Sequence, residues 1–138
     1  MRLKATRTFL IVAVAFVSSA VQADPQFDRC EKRSTAHKLD IELGACGAAW
    51  VKREEVLLNA AWARVLASFK QDTPADYKQA MMDEQQAWLA FKDKACRQFD
   101  LMSAGTLGRF HDANVCRAEV IEDRVSQVTS NLRGKSLS

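Results

Sequence analysis

Residues 83–96 read Asp-Glu-Gln-Gln-Ala-Trp-Leu-Ala-Phe-Lys-Asp-Lys-Ala-Cys, and they lie in a longer segment, 74–99, without internal glycine or proline. Large apolar side chains recur along this segment at spacings of three, four and seven, which is the repeat of one helix face. A helix is therefore predicted here, and the rest of the chain must cover its apolar stripe, which we interpret as core. The stripe consists of Tyr77, Met81, Trp88, Phe91, Ala95 and Phe99.

Helical repeats also occur on both sides of this segment. The earlier one is apolar on two sides, which favours a central position in a bundle, and Gly44 and Gly47 predict a break or kink near its start. The later one can be capped by Asp112 and ends near Gly134. The earlier stripe comprises Leu39, Leu43, Cys46, Trp50, Leu57, Ala61, Val65 and Phe69, flanked by Leu58, Trp62 and Leu66. The later stripe comprises Ala118, Ile121, Val125, Val128 and Leu132.

The segments between these repeats predict turns and caps. Residues 24–33 are polar and contain a proline, so we expect a loop or short turn, with Ser34 or Thr35 capping the helix that follows. Thr73 is a predicted N-cap, and the glycines and serine of residues 101–112 predict a loop. Apolar and polar residues never alternate for long enough to indicate a strand. The predicted fold is all-α, a small bundle of three main helices, or four if the glycines break the first.

The first 23 residues have the pattern of a signal peptide. A basic start containing Arg2 and Lys4 is followed by an apolar run, 9–17, which is too short to span a bilayer. Small residues precede a cleavage site after Ala23, with cleavage after Ala20 as the alternative. No cysteine directly follows either site, so no lipid anchor is expected. We therefore predict a single domain over residues 24–138, located in the periplasm or secreted.

Removal of this segment balances the charge of the chain. The full sequence has 20 Lys and Arg against 17 Asp and Glu, and the predicted signal peptide holds three of the bases and no acid. The remaining charges are evenly matched and mixed along the chain. A protein that binds nucleic acid would be expected to have an excess of basic residues, so no nucleic-acid partner is predicted.

All four cysteines follow the predicted signal peptide, which indicates two disulfides in an oxidising compartment. Three pairings are possible, and the sequence does not choose between them. We prefer Cys30 with Cys46 and Cys96 with Cys116, because each bond would tie a loop to a neighbouring helix. Loops of this size would contribute about 3 kcal/mol each to stability in the chain-entropy model.

The sequence contains no motif that indicates catalysis or a cofactor. A glycine-rich phosphate loop, a nucleophile elbow and a zinc-protease motif are all missing. His37 and His111 do not have the spacing of a Cys/His metal site. No acid stands alone in an apolar run, where burial would raise its pKa. We therefore predict no enzyme activity, no metal and no cofactor.

The chain contains the motifs Leu-Asn-x-x-Trp at 58–62 and Gln-x-Ala-Trp-x-x-Phe-Lys-Asp-x-x-Cys at 85–96. With these motifs it resembles the LprI-like N-terminal domain family of lysozyme inhibitors, and the likeness covers nearly all of residues 24–138. That family pairs a Leu-Asn-x-x-aromatic helix with a Gln-x-Ala-Trp-x-x-aromatic-Arg-Asp-x-x-Cys helix, followed by a glycine-containing loop, another cysteine and an arginine. The resemblance implies structural roles for the matching residues, and a lysine stands where arginine is usual. The matching residues are Leu58, Asn59, Trp62, Gln85, Trp88, Phe91, Lys92, Asp93, Cys96, Cys116 and Arg124.

The resemblance implies an exported binding protein that inhibits a lysozyme-like hydrolase by occluding its cleft. The loop 103–111 is the candidate wedge, because Arg109 or His111 can pair with a catalytic acid and Phe110 can occupy a sugar subsite. Thr106, in the glycine-containing part of the loop, completes the candidate contact set. The alternatives are that the loop is only a connector, or that the chain is an interaction domain of the envelope without inhibitory activity.

Overall fold

The computed structural model describes residues 24–37, 40–102 and 108–135, and every regular element in these ranges is an α-helix. The all-α prediction is therefore confirmed, with four long helices and one helix of six residues. The predicted signal peptide lies outside the described residues. In chain order the helices are α1 (Pro25–Ala36), α2 (Asp40–Ala67), α3 (Ala75–Ala95), α4 (Arg97–Met102) and α5 (Gly108–Lys135).

Helices α2 and α5 form the centre of the molecule and run parallel to each other. Near their N-termini they are joined where Asn114 Nδ2 donates to the Gly44 carbonyl at 3.2 Å. A Cβ atom on Gly47 would stand 2.8 Å from the Asn114 Cβ, so the absence of a side chain lets the two backbones approach. Further along both helices, a buried apolar cluster contains Leu58, Ala61, Val65, Ile121 and Val128. Burial of each large side chain contributes about 1.5–3 kcal/mol.

Helix α1 packs back along the first half of α2. Asp24 caps α1, because its Oδ1 accepts hydrogen bonds from the backbone N–H groups of Gln26 and Phe27 at 2.7 and 3.0 Å. The Phe27 ring is buried with its centroid 4.8 Å from that of Trp50 in α2. The prediction of a loop over residues 24–33 is therefore wrong. The pattern was missed because α1 buries only one large apolar side chain.

Helix α3 returns the chain alongside α5 in the opposite direction and lies at the edge of the bundle. Gln85 is its one buried residue between 75 and 95. Within the predicted stripe, Met81 and Trp88 pack partly against the core, but Tyr77 and Phe91 are exposed. The stripe therefore predicted the helix correctly, whereas the central position belongs to α2 and α5.

Several predicted boundaries differ from the structure. Helix α2 passes through both glycines without a break, because the close contact with α5 favours glycine there. The predicted loop 101–112 is helical at both ends, since α4 extends to Met102 and α5 begins at Gly108. Asp112 and Gly134 consequently lie inside α5, and Ser34 lies inside α1 rather than capping α2. The N-cap of α3 is Pro74, while Thr73 Oγ1 accepts from the Lys70 N–H at 2.8 Å.

Both disulfides connect helices at the end of the bundle where α2 and α5 begin. Cys30 of α1 is bonded to Cys46 of α2, and Cys96 at the end of α3 is bonded to Cys116 of α5. The corresponding Cα atoms are 5.7 and 5.8 Å apart. These are the pairings preferred from the sequence, although each joins two helices rather than a loop and a helix.

Candidate functional site

Arg124 is the residue through which α5 holds α3. Its side chain is 4% exposed, and its Nε and Nη2 donate to Gln85 Oε1 at 3.1 and 2.9 Å. Its Nη1 donates to Glu84 Oε1 at 2.7 Å and to Gln127 Oε1 at 2.6 Å. The guanidinium carbon lies 5.6 Å from the centroid of the Trp88 ring, which adds a cation–π contact. Three of the residues that matched the family pattern, Gln85, Trp88 and Arg124, therefore meet at one junction.

A polar cleft of about 320 Å³ is lined by residues of α2, α3 and α5. Lys92 lies on its wall, with its Nζ 3.2 Å from Glu55 Oε1 and 3.9 Å from Asp93 Oδ1. Val51 and Ile121 are the apolar part of the lining, and Arg117 contributes a second basic side chain to it. The lysine thus makes single ion pairs here, where an arginine would offer a planar fork of donors.

The remaining motif residues are divided between core and surface. Leu58 is buried in the α2–α5 cluster, and Trp62 packs partly against it. Asn59 and Asp93 are exposed, and Phe91 is 55% exposed. The motif therefore includes residues of the core, residues of the Arg124 junction and residues in contact with solvent.

Only part of the candidate wedge falls among the described residues. Thr106 lies outside them, and Arg109 and Phe110 lie in the first turn of α5 with side chains outside the described set. His111 is described, and its ring stacks on Phe27 with centroids 5.9 Å apart. Its Nδ1 lies 3.4 Å from the Leu43 carbonyl oxygen.

His111 does not point outward as a partner-contact residue would. Its side chain is 16% exposed, and its Nε2 lies 3.4 Å from Glu31 Oε1. The ring therefore joins α5 to α1 and α2 and anchors the C-terminal end of the segment 103–111. This position could not be predicted from the sequence, because His111 is far along the chain from Glu31 and Leu43.

The other end of the same segment is braced by two cross-links. Cys96 is bonded to Cys116, and Arg117 Nη2 donates to Asp100 Oδ2 at 2.6 Å. Between these cross-links and residue 103, Leu101 and Met102 are 67% and 83% exposed. Two large apolar side chains in water next to cross-linked residues are typical of a surface that contacts a partner.

A second polar cluster lies where the N-terminus of α1 meets the middle of α2 and α5. Glu54 is 6% exposed and accepts a hydrogen bond from Trp50 Nε1 at 3.2 Å. Burial raises its pKa, the charge of Asp24 adds to the effect, and the bond from Trp50 opposes it. Arg53 Nε donates to Asp24 Oδ2 at 2.7 Å, and Arg53 Nη2 is buried without a hydrogen-bond partner.

A third acid, Glu122 of α5, is near enough for its pKa to respond to the charges of Glu54 and Asp24. Its Oε2 is buried and makes no hydrogen bond. Burial raises the pKa of Glu122, and the neighbouring charge of Glu54 raises it further, followed by Asp123, Glu119 and Asp24. For Asp24, burial alone would raise the pKa, but hydrogen bonds from Arg53, Phe27 and Gln26 outweigh it and lower the pKa.

The expectation that no acid has its pKa raised by burial is therefore wrong for Glu54 and Glu122. One feature of the sequence indicates that Glu54 is buried, because it stands four residues after Trp50 and therefore on the same face of α2. The sequence does not show which helices pack around these two acids.

Within the described part of the chain, no group of three or more His, Cys, Asp or Glu residues is arranged to hold a metal. No helix in the described ranges is long and apolar enough to cross a membrane.

The helical fold and the Arg124 junction together define a small domain that two disulfides cross-link at one end. The family model described as lysozyme inhibitor LprI matches residues 30–128, and the chain belongs to this family. The match includes both disulfides and the Arg124 junction. No curated protein and no solved structure matches the chain.

Proposed function

We propose that this protein is an exported, non-enzymatic binding protein that inhibits a lysozyme-like hydrolase by occluding its substrate cleft. Membership of the lysozyme inhibitor LprI family supports the choice of target class. The two disulfides agree with an oxidising compartment outside the cytoplasm. The contact surface is the braced end of the bundle, formed by Leu101, Met102 and the segment 103–110.

The observation that supports this surface best is the exposure of Leu101 and Met102 beside cross-links that hold them in place. Cys96–Cys116 and Asp100–Arg117 reduce the conformational freedom that an interface residue loses on binding. In this proposal Arg109 pairs with a carboxylate of the hydrolase and Phe110 fills an apolar subsite, and Thr106 belongs to the same contact set. His111 holds the base of the segment.

Lysozyme turnover in the presence of the purified, oxidised protein tests the inhibition. We expect turnover to fall at micromolar excess, and we expect the double variant Leu101→Ser/Met102→Ser to weaken inhibition at least tenfold. Val56→Ser is the matched control, because Val56 is 62% exposed in the middle of α2, away from the braced end. This control should inhibit like the unchanged protein.

Two outcomes would count against the proposal in different ways. Full turnover at micromolar excess of folded protein would contradict inhibition and favour an envelope interaction domain without it. Inhibition that is unaffected by changes at Leu101, Met102, Arg109 and Phe110 would keep the target class and place the contact surface elsewhere.

A further inference from the structure

The disulfide between Cys30 and Cys46 lines an open cavity of about 500 Å³ beside α1 and α2. The wall of this cavity also includes Arg33, His37 and Glu42. Cys30 is partly exposed, whereas Cys46 is 2% exposed. A thiol that enters the cavity therefore reaches the Cys30 sulfur more readily than the Cys46 sulfur. Because Arg33 and Glu42 have opposite charges, entry depends on access more than on the charge of the thiol.

Ser34 contacts the buried sulfur of this disulfide. It is 1% exposed, and its Oγ lies 3.6 Å from Cys46 Sγ. A disulfide sulfur carries no hydrogen, so the Ser34 hydroxyl is the donor in this contact. When the sulfur–sulfur bond breaks, negative charge develops on the departing sulfur, and a hydroxyl donor stabilises that charge. Access and hydrogen bonding together make Cys30 the sulfur that is attacked and Cys46 the sulfur that leaves.

Helix α1 depends on this disulfide for its position. It has 12 residues, of which Phe27 and Ser34 are buried. A helix of this length is marginal by itself in water. The other contacts of α1 with α2 include the Phe27 ring on Trp50 and the ion pair of Asp24 with Arg53 at 2.7 Å. Loss of the covalent link should therefore increase the population in which α1 has separated from α2.

The same helix provides two of the groups that position His111. Glu31 Oε1 lies 3.4 Å from His111 Nε2, and the Phe27 ring stacks on the imidazole with centroids 5.9 Å apart. Glu31 directly follows Cys30 in the chain, and Phe27 precedes it by three residues. Separation of α1 would remove both contacts from the start of α5, where the segment 103–110 of the proposed contact surface ends.

We propose that Cys30–Cys46 is a thiol-exchange site, and that its reduction by an external dithiol separates α1 and releases His111. One thiolate of the dithiol attacks Cys30 Sγ, so a mixed disulfide forms there, and Cys46 leaves as a thiolate that takes up a proton. The second thiol of the dithiol then loses its proton and displaces Cys30 as a thiol. The protein gains two electrons and two protons, and the dithiol becomes a disulfide. Only the consequence for inhibition rests on the proposed function.

Limited reduction of the folded, oxidised protein with dithiothreitol tests the exchange. Samples are alkylated over time, and peptide mass spectrometry identifies the modified cysteines. We expect Cys30 and Cys46 to be alkylated roughly tenfold faster than Cys96 and Cys116. The second pair is the internal control, because reduction through global unfolding would expose all four cysteines together. Equal rates for the two pairs, or faster reaction of Cys96 and Cys116, would overturn the proposal.

Reduced glutathione, which has a single thiol, tests which sulfur is attacked. After a rapid acid quench, the mixed disulfide should be found on Cys30, with Cys46 as a free thiol. Ser34→Ala should slow its formation roughly threefold. Ser130→Ala is the matched control, because Ser130 is exposed on α5 and its Oγ donates to the Gln127 carbonyl at 2.8 Å. Glutathione on Cys46, or a rate in Ser34→Ala no lower than in the control, would contradict the direction of attack.

Hydrogen exchange of Cys30→Ser/Cys46→Ser tests the separation of α1. Backbone amides of α1 and of residues 112–116 should exchange roughly tenfold faster than in the oxidised protein, because both regions lose their mutual contacts. Amides of α3 are the control, and they should keep their protection through the Cys96–Cys116 bond. Unchanged protection of α1 would overturn the proposal.

Inhibition of lysozyme is measured separately, with the oxidised protein and with Cys30→Ser/Cys46→Ser. The variant should inhibit roughly tenfold less well, because the contact segment has lost its anchor at His111. Equal inhibition by the two forms would contradict control of the contact segment by this disulfide. Absence of inhibition by the oxidised protein would count against the proposed function alone, since the exchange measurements do not involve a hydrolase.

Discussion

The α2–α5 pair and helix α3 are held in place by different forces. The pair shares a continuous apolar cluster that includes Leu58 and Ile121, and the N-terminal halves of the two helices touch at Gly47. Helix α3 adds only partly buried apolar side chains to this cluster and depends further on the polar contacts of Arg124 and on the Cys96–Cys116 bond. Burial of apolar surface therefore determines the stability of the domain, and specific bonds determine where α3 lies.

Truncation of Ile121 should have the largest effect, because it opens a cavity in the shared cluster. Ile121 is 1% exposed, and Ile121→Ala should lower the free energy of unfolding by about 4 kcal/mol. Denaturant unfolding measures this. Leu89→Ala on α3, where Leu89 is 42% exposed, should cost less than about 1 kcal/mol. Equal losses at the two positions would show that α3 contributes to the core as much as α5 does.

Removal of the Cys96–Cys116 bond should come next and should affect α3 selectively. The bond closes a separation of 20 residues, so Cys96→Ser/Cys116→Ser should cost about 3 kcal/mol. Backbone amides of α3 should then exchange with solvent faster than those of α2. Cys30→Ser/Cys46→Ser is the matched control, because the disulfide that it removes spans a similar separation of 16 residues. This variant should leave the amides of α3 protected. Uniform loss of protection in both variants would contradict the division into two regions.

Arg124→Lys tests whether geometry or charge holds α3. Lysine keeps the positive charge but cannot place two donors on Gln85 Oε1 while also reaching Glu84, so we expect a loss of about 2 kcal/mol. Hydrogen exchange should show faster opening of α3. Arg117→Lys is a suitable comparison, because Arg117 is 33% exposed and makes one bond to Asp100. A loss at Arg124 no larger than that at Arg117 would mean that charge alone suffices.

The smallest expected effect concerns Glu54, the buried acid of α2. Because the folded pKa of Glu54 is raised above 4.5, stability gained from its proton is present below about pH 4.5 and is lost as the pH rises through the folded value. Glu54→Gln should therefore stabilise the protein at pH 7 by about 1 kcal/mol and have little effect at pH 4.5. Thermal unfolding across this range measures the change. Glu42→Gln, at an exposed position of α2, should be neutral throughout, and a parallel response of both variants would contradict a role for burial.

The helices were predictable wherever apolar residues repeat in a stripe, as they do around Trp88 and Ile121. Helix α1 was not, because Asp24 and Pro25 start it locally but Phe27 alone marks its buried face. The continuity of α2 through Gly47 was also hidden, because the reason lies in Asn114, far along the chain.

The candidate site was predictable only in its local parts. The cysteine count and the Trp88–Cys96 motif indicated the family and the disulfides, and the family model confirms the membership. The inward position of His111 and the burial of Glu54 depend on which helices become neighbours. A stripe shows that a helix has an apolar face but not how completely other helices cover it, which is why the whole α3 stripe was interpreted as core.

The parallel arrangement of α2 and α5 has a consequence for the order of folding. Leu43 and His111 touch although they are 68 positions apart, so the core cannot close until nearly the whole chain is present. The hairpin of α1 and α2 is different, because both of its thiols occur early. When the chain emerges from its N-terminus, the two disulfides can therefore form one after the other. The first can form before the residues of α5, which complete the core, have emerged.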